Sequence, residues 1–79
     1  MNIVLYLVSF SDEPVSRIVS AIERELKLKV KSFRSVVVPE FRRIVIEVTD
    51  TDVNNVRRRI EEIVTKELGD SWYKVEVEV

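Results

Sequence analysis

Hydrophobic and polar residues follow two different periods along this chain, and the changes of period mark six elements. Residues 3–8 are continuously apolar and rich in β-branched and aromatic side chains, which is typical of a central strand. Residues 28–38 and 43–49 alternate between apolar and polar, which predicts two strands with one face in water. Residues 72–79 alternate in the same way, so we predict a last strand at an edge of the sheet.

Two segments between these strands repeat their apolar residues at helical spacing. The first follows Ser11-Asp12-Glu13-Pro14, and the second follows Asp50-Thr51-Asp52, both of which supply capping side chains. Gly69, the only glycine, stands where the second helix needs a left-handed residue to end. The apolar stripes consist of Val15, Ile18, Val19, Ile22 and Leu26 in the first helix and Val53, Val56, Ile60, Ile63, Val64 and Leu68 in the second.

The order strand, helix, strand, strand, helix, strand predicts an α+β fold of the ferredoxin-like βαββαβ type. In this fold right-handed crossovers place both helices on one face of a four-stranded antiparallel sheet with strand order 4-1-3-2. With 79 residues the chain has room for one hydrophobic core, so we predict a single domain over residues 1–79. A functional site is therefore expected on a surface, in a loop or between copies.

Composition narrows the classes of partner. The chain is 46% hydrophobic and 34% charged with a formal net charge of −1, which is typical of a soluble globular protein. A nucleic-acid partner is not expected, because phosphate binding normally requires a clear basic excess. No apolar run is long enough to cross a bilayer, so we expect no membrane partner and a cytoplasmic location.

The sequence contains no cysteine and no histidine, which excludes disulfides, thiolate nucleophiles, imidazole bases and Cys/His zinc sites. The acidic clusters at 12–13 and 50–52 lie at predicted helix starts, where carboxylates cap amides and complement the helix dipole. We therefore predict no catalytic residues, no metal and no cofactor. The protein is not expected to be an enzyme.

Basic residues at 57–59, together with Arg42, Arg43 and Lys66, suggest a basic patch. Three successive helical residues point in different directions, however, and Glu61 and Glu62 follow within ion-pair reach. We interpret residues 57–59 as a solvated helix face.

One set of apolar residues is predicted to lie on a surface that would be exposed to water in a monomer. Strand parity predicts that Phe33, Val37, Val45 and part of the first strand lie on the face of the sheet without helices. An apolar patch there predicts self-association into a homodimer. The residues predicted to face the helices are Leu28, Val30, Val36, Val38, Ile44, Ile46 and Val48.

Two short segments, Glu13-Pro14-Val15-Ser16-Arg17-Ile18 and Lys31-Ser32-Phe33, resemble an ACT domain, in particular the regulatory subunits of acetolactate synthase. The resemblance implies a dimer that binds a small amino acid where the first strand meets the first helix and regulates a partner enzyme. The ligand-binding residues it implies are Asp12, Glu13 and Ser16. The family has a glycine after the proline, whereas this chain has Val15.

A different hypothesis is a designed sequence. Consistent patterning, capped helices and the absence of histidine and cysteine favour a designed, thermostable scaffold without a natural ligand. The single alanine and the lack of glycine-bearing hairpins argue against design, and a hyperthermophile protein would show a similar composition. Our first hypothesis is the non-catalytic stand-alone scaffold, and the alternative is the ACT-like amino-acid sensor.

Overall fold

A computed structural model describes residues 1–49 and 52–78 of the chain. Its elements are β1 (Asn2–Val8), α1 (Asp12–Leu26), β2 (Lys29–Arg34), β3 (Phe41–Glu47), α2 (Val53–Leu68) and β4 (Tyr73–Glu78). All three strand pairs are antiparallel, and the sheet has the order β2-β3-β1-β4. This is the predicted 4-1-3-2 order read from the opposite edge, so the ferredoxin-like fold is confirmed.

Local signals define both helices. The Ser11 hydroxyl accepts a hydrogen bond from the Glu13 amide at 3.3 Å, and the Asp52 carboxylate accepts one from the Asn55 amide at 3.2 Å. Gly69 ends α2, as predicted, with a positive φ of 62°, but its ψ of −121° lies outside the left-handed helical region that was expected. Lys27 ends α1 with a φ of 55°, a left-handed conformation that the sequence did not indicate. The predicted caps Asp50 and Thr51 and the strand residue Val79 lie outside the described residues.

The core lies between the two helices and one face of the sheet. Because side chains alternate along a strand, every second residue of β1 and β3 points at the helices. The sheet contributes Ile3, Leu5, Leu7, Ile44, Ile46, Val48 and Val75, and the helices contribute Val15, Ile18, Ile22, Val56, Ile60, Ile63 and Val64. Among the described residues, Arg42 is the only charged residue that is buried.

The connection between β2 and β3 differs from the prediction. β2 ends at Arg34 rather than near Val38, and residues 36–38 form an exposed loop in which Val36 is 95% and Val37 89% accessible. Val36 and Val38 therefore do not face the helices, and Val37 does not lie on the sheet. The Ser35 hydroxyl accepts a hydrogen bond from the Val38 amide at 3.0 Å, and this local bond turns the chain despite the β propensity of valine.

Candidate functional site

The side of the sheet opposite the core, which we call the helix-free face, carries the alternate residues of all four strands. The strand pairing arranges these residues in rows that run from β2 across β3 and β1 to β4. Along the strands the rows are Phe41-Val8, then Phe33-Arg43-Tyr6-Lys74, then Lys31-Val45-Val4-Glu76, and finally Lys29-Glu47-Asn2-Glu78.

One end of the helix-free face is aromatic. The rings of Tyr6 and Phe41 stack with centroids 5.9 Å apart, and the Arg43 guanidinium lies 5.6 Å from the ring centroid of Phe33. Phe33 is 47% accessible, and Trp72 is also exposed. A shallow pocket of about 280 Å³ is lined by Tyr6, Phe41, Trp72, Lys74 and Glu76. Tyr6 and Phe41 are half-buried, and Arg43 lies between Phe33 and Tyr6 in the second row. This end therefore leaves aromatic surface open to water on a face that no helix covers.

The other end is charged, and the sign changes from one edge to the other. Lys29 and Lys31 lie on β2, whereas Glu76 and Glu78 lie on β4. The Lys74 ammonium donates to the Glu76 carboxylate at 2.8 Å, and this bond raises the pKa of Lys74 above its ordinary value. The face is therefore positive along its β2 edge and carries carboxylates along its β4 edge.

The structure places two of the three predicted patch residues on this face. Phe33 and Val45 occupy neighbouring rows, whereas Val37 lies in the 36–38 loop. Tyr6, Phe41 and Trp72, which also belong to this face or line its pocket, were not among the predicted patch residues. Strand alternation could have placed Tyr6 and Phe41 on this face. They alternate with Leu5, Leu7 and Arg42, which lie on the helix-covered side.

The start of α1 carries the three ligand-binding residues that the ACT resemblance implies. Asp12, Glu13 and Ser16 are all exposed near the first turn. The Asp12 carboxylate accepts a hydrogen bond of 2.8 Å from Arg42 Nη1, and Arg34 Nη1 lies 4.0 Å from the same carboxylate oxygen. The hydrogen bond and charge of Arg42 lower the pKa of Asp12. Ser16 instead lines a separate shallow groove of about 250 Å³ with Arg17, Ser20, Ala21, Arg24 and Glu67.

Arg42 is the unexpected member of this site. Its side chain is 5% accessible, and its Nε and Nη2 atoms are buried without a hydrogen-bond partner among the described residues. These two nitrogens form one edge of the guanidinium, the edge that pairs with both oxygens of a carboxylate. Grouping Arg42 with a surface basic patch was wrong, because it shares strand parity with Ile44 and Ile46 and points at the helices.

The basic run on α2 forms ordinary surface contacts, as predicted. Arg57 Nε lies 3.5 Å from Glu61, Arg58 bonds the Asn55 side chain at 2.8 Å, and Arg59 reaches Glu25 of α1 at 3.4 Å. In residues 1–49 and 52–78 no group of three or more acidic, histidine or cysteine side chains could hold a metal ion. No helix in these ranges has the length and apolar character needed to cross a membrane.

Comparison with known proteins shows the fold alone. No protein-family model matches the chain, and no curated protein matches it. A crystal structure of a presumed antibiotic biosynthesis monooxygenase from Bordetella bronchiseptica, at 2.15 Å resolution, superimposes with a TM-score of 0.52. The match covers 99% of this chain and 94% of the other at 18% identity. This likeness supports the ferredoxin-like fold, which ACT domains share, and it does not single out the ACT family.

Proposed function

We propose that the protein is a non-catalytic binding module that acts as a homodimer, with the helix-free faces of two copies packed against each other. The observation that carries this proposal is the aromatic end of that face, where Phe33 and Trp72 are exposed beside the half-buried rings of Tyr6 and Phe41. The helices cover only one side of the sheet, so these rings find apolar cover only against a partner. A second copy supplies a surface of the same shape and character.

The size of the face sets the expected affinity. Four strands spaced about 4.8 Å apart and six residues long at about 3.3 Å each give a face of roughly 400 Å² per copy. That is about half of the 800 Å² per partner in a standard protein interface. We therefore expect reversible dimerisation in the micromolar range, with exposed Trp72 adding contact area at the aromatic end.

Sedimentation equilibrium of the full chain over a series of micromolar concentrations tests this proposal. The mass should rise from the 9.3 kDa of one chain towards twice that value. The double variant Phe33→Lys/Val45→Lys should remain folded and monomeric, because it places two charges in the proposed contact. The matched variant Ser20→Lys/Asn54→Lys, with the same charge change on the helices, should dimerise normally. A wild-type mass of one chain throughout contradicts the proposal.

A second candidate function, binding of a small amino acid at the start of α1, is favoured by the unpaired edge of Arg42. The ligand's carboxylate takes the Nε and Nη2 hydrogens, and its ammonium group lies against Asp12 or Glu13. Both nitrogens are shielded from solvent, so entry requires a shift of the surrounding side chains. A designed scaffold without a ligand has no use for such an edge, because design rules leave no buried polar group unpaired.

A thermal-melt screen against the common amino acids tests the second candidate. A ligand that binds only the folded chain raises the midpoint by mass action. Arg42→Met should abolish that rise, whereas Arg43→Met, a change of the neighbouring residue on the opposite face, should retain it. If no amino acid raises the midpoint, the amino-acid sensor hypothesis is rejected. The ligand-free scaffold is then the remaining alternative to the proposed homodimeric binding module.

The proposal that the chain has no catalytic activity also requires a direct test, because the structural neighbour is named as a monooxygenase. At 18% identity that name transfers no activity to this chain. We expect oxygen consumption by the purified protein to equal the buffer blank, with or without NADH or reduced flavin. Consumption that scales with protein concentration refutes this part of the proposal.

A further inference from the structure

We infer that the homodimer is built around a two-fold axis that runs between the faces and parallel to the strands, so that Lys31 of one copy pairs with the partner's Glu76. This inference rests on the proposed dimer and adds its symmetry and its specific contacts. It follows from the way charge and apolar character are distributed over the helix-free face.

Charge across the strands provides the first argument. In the third row Lys31 on β2 and Glu76 on β4 occupy opposite edges, and in the fourth row Lys29 and Glu78 repeat the arrangement. These two rows therefore run from a lysine to a glutamate, whereas the second row ends in Lys74 on β4. A face with this pattern matches a copy of itself only when the order of the strands is reversed.

A two-fold axis in the plane of the interface keeps the strands of the two sheets aligned when it is parallel or perpendicular to them, and these two axes differ in what they reverse. An axis parallel to the strands lays β2 over the partner's β4 and keeps each row opposite the same row. Lys31 then faces the partner's Glu76, and Lys29 faces the partner's Glu78. An axis perpendicular to the strands, centred on the third row, lays Lys31 over the partner's Lys31 and sets like charges against each other.

The apolar gradient along the strands gives an independent second argument. With the axis parallel to the strands, the aromatic end meets the partner's aromatic end. The half-buried Val45 lies over the position of the partner's Val4, whose own side chain has no accessible surface in the single chain. Arg43 lies over the partner's Tyr6, a cation–π arrangement. The perpendicular axis instead lays the second row, with Phe33 and Tyr6, over the charged fourth row and leaves the first row without a row opposite it. We therefore select the axis parallel to the strands.

Known sheet-packing geometry is compatible with this arrangement. Two twisted sheets that pack face to face keep their strand directions within about 30° and lie about 10 Å apart. Lysine and glutamate side chains can span that gap near the rim, whereas the short Val4 and Val45 lie towards the middle of the sheet. Glu76 already binds Lys74 of its own chain at 2.8 Å, so it would accept from two ammonium groups in the dimer.

Charge reversal tests the axis directly. The dimer dissociation constant is measured at low salt for the wild type, Lys31→Glu, Glu76→Lys and the double variant Lys31→Glu/Glu76→Lys. Each single change breaks two symmetric ion pairs and should weaken dimerisation roughly tenfold. The double variant should return towards the wild-type value, because it restores opposite charges. Raising the salt should reduce both effects.

Charge-matched changes on the helix layer serve as controls, and the outcomes separate the symmetry from the dimer itself. Lys66→Glu and Glu62→Lys lie on α2 and should leave the dissociation constant unchanged. Single variants at Lys31 and Glu76 that dimerise like the wild type overturn the parallel axis. Under the perpendicular axis each of these residues faces its own copy, so reversing its charge leaves two like charges opposite each other, as in the wild type. Weakened single variants without rescue in the double variant also overturn it. A monomeric wild type refutes the dimer proposal itself.

Discussion

The two faces of this sheet are built from the same strands, yet they use different chemistry. On the helix-covered face, every second residue of β1 and β3 is aliphatic and buried, with Arg42 as the exception. On the helix-free face, aromatic residues gather at one end, and at the other end lysines on β2 lie across the sheet from glutamates on β4. The covered face needs only shape and apolar character, because its partner belongs to the same chain. On the free face, the separation of lysines from glutamates favours one orientation of a binding partner over others.

The largest expected effect comes from truncating neighbouring residues on the two faces. Ile44 points into the core with no accessible surface, whereas its neighbour Val45 is half-buried on the free face. Ile44→Ala should lower the free energy of unfolding by about 2–5 kcal/mol. Val45→Ala should lower it by about 1 kcal/mol, measured by urea unfolding at a concentration where the monomer dominates.

The same pair sharpens the dimer proposal. Val45→Ala should weaken dimerisation, whereas Ile44→Ala should affect it only as far as the fold is lost. If Ile44→Ala and Val45→Ala lower the unfolding free energy of the dilute monomer equally, Val45 is packed as deeply as Ile44. That result contradicts the distinction between the two faces.

Adjacent arginines on opposite faces provide the next comparison. Arg42 is buried with two unpaired nitrogens, and Arg43 lies over Phe33 on the free face. Replacing a buried, partly paired charge by an apolar residue of similar length is often neutral or stabilising by about 1–4 kcal/mol. We therefore expect Arg42→Met to hold or raise the urea midpoint.

Arg43→Met serves as the matched change and should alter the free energy of unfolding by less than about 1 kcal/mol, the value of an exposed cation–π contact. A marked loss of stability in Arg42→Met means that the Nε and Nη2 hydrogens have partners in the folded chain. That result also removes the reason for a carboxylate ligand at this edge.

The elements that sequence predicted well are those with redundant local signals. Both helices combine an apolar stripe with a capping side chain, and α2 also has Gly69 at its end. The strand residues Ile44 and Ile46 were placed on the correct face because alternation is fixed by backbone geometry once an element is a strand.

The failures occurred where one local bond or one tertiary position decided the outcome. Residues 36–38 read as strand from their β-branched side chains, but the Ser35 hydroxyl and the following proline turn the chain there. The burial of Arg42 was not predicted, because arginine is rarely buried. Its parity with Ile44 and Ile46 gives its face of the sheet, and only the folded chain shows that Asp12 reaches it. The aromatic end was missed because it draws residues from separate strands.

The smallest predicted effect is a pH dependence that belongs to the covered face. The Arg42 hydrogen bond and charge hold the pKa of Asp12 below its ordinary value. A carboxyl whose pKa is depressed by folding adds stability above its unfolded pKa, and that stability is lost as the pH falls through the folded pKa. Wild type should therefore lose its advantage over Asp12→Asn in thermal melts below about pH 4.

Glu13→Gln provides the control on the same turn, since Glu13 contacts only Arg17 at 4.0 Å among the described ion pairs. Its difference from wild type should vary less with pH than that of Asp12→Asn. If the Asp12→Asn difference is independent of pH, Arg42 does not hold that carboxylate in solution. The whole Arg42 guanidinium would then lack a partner among the described residues, and binding of an external anion would become the first explanation to test.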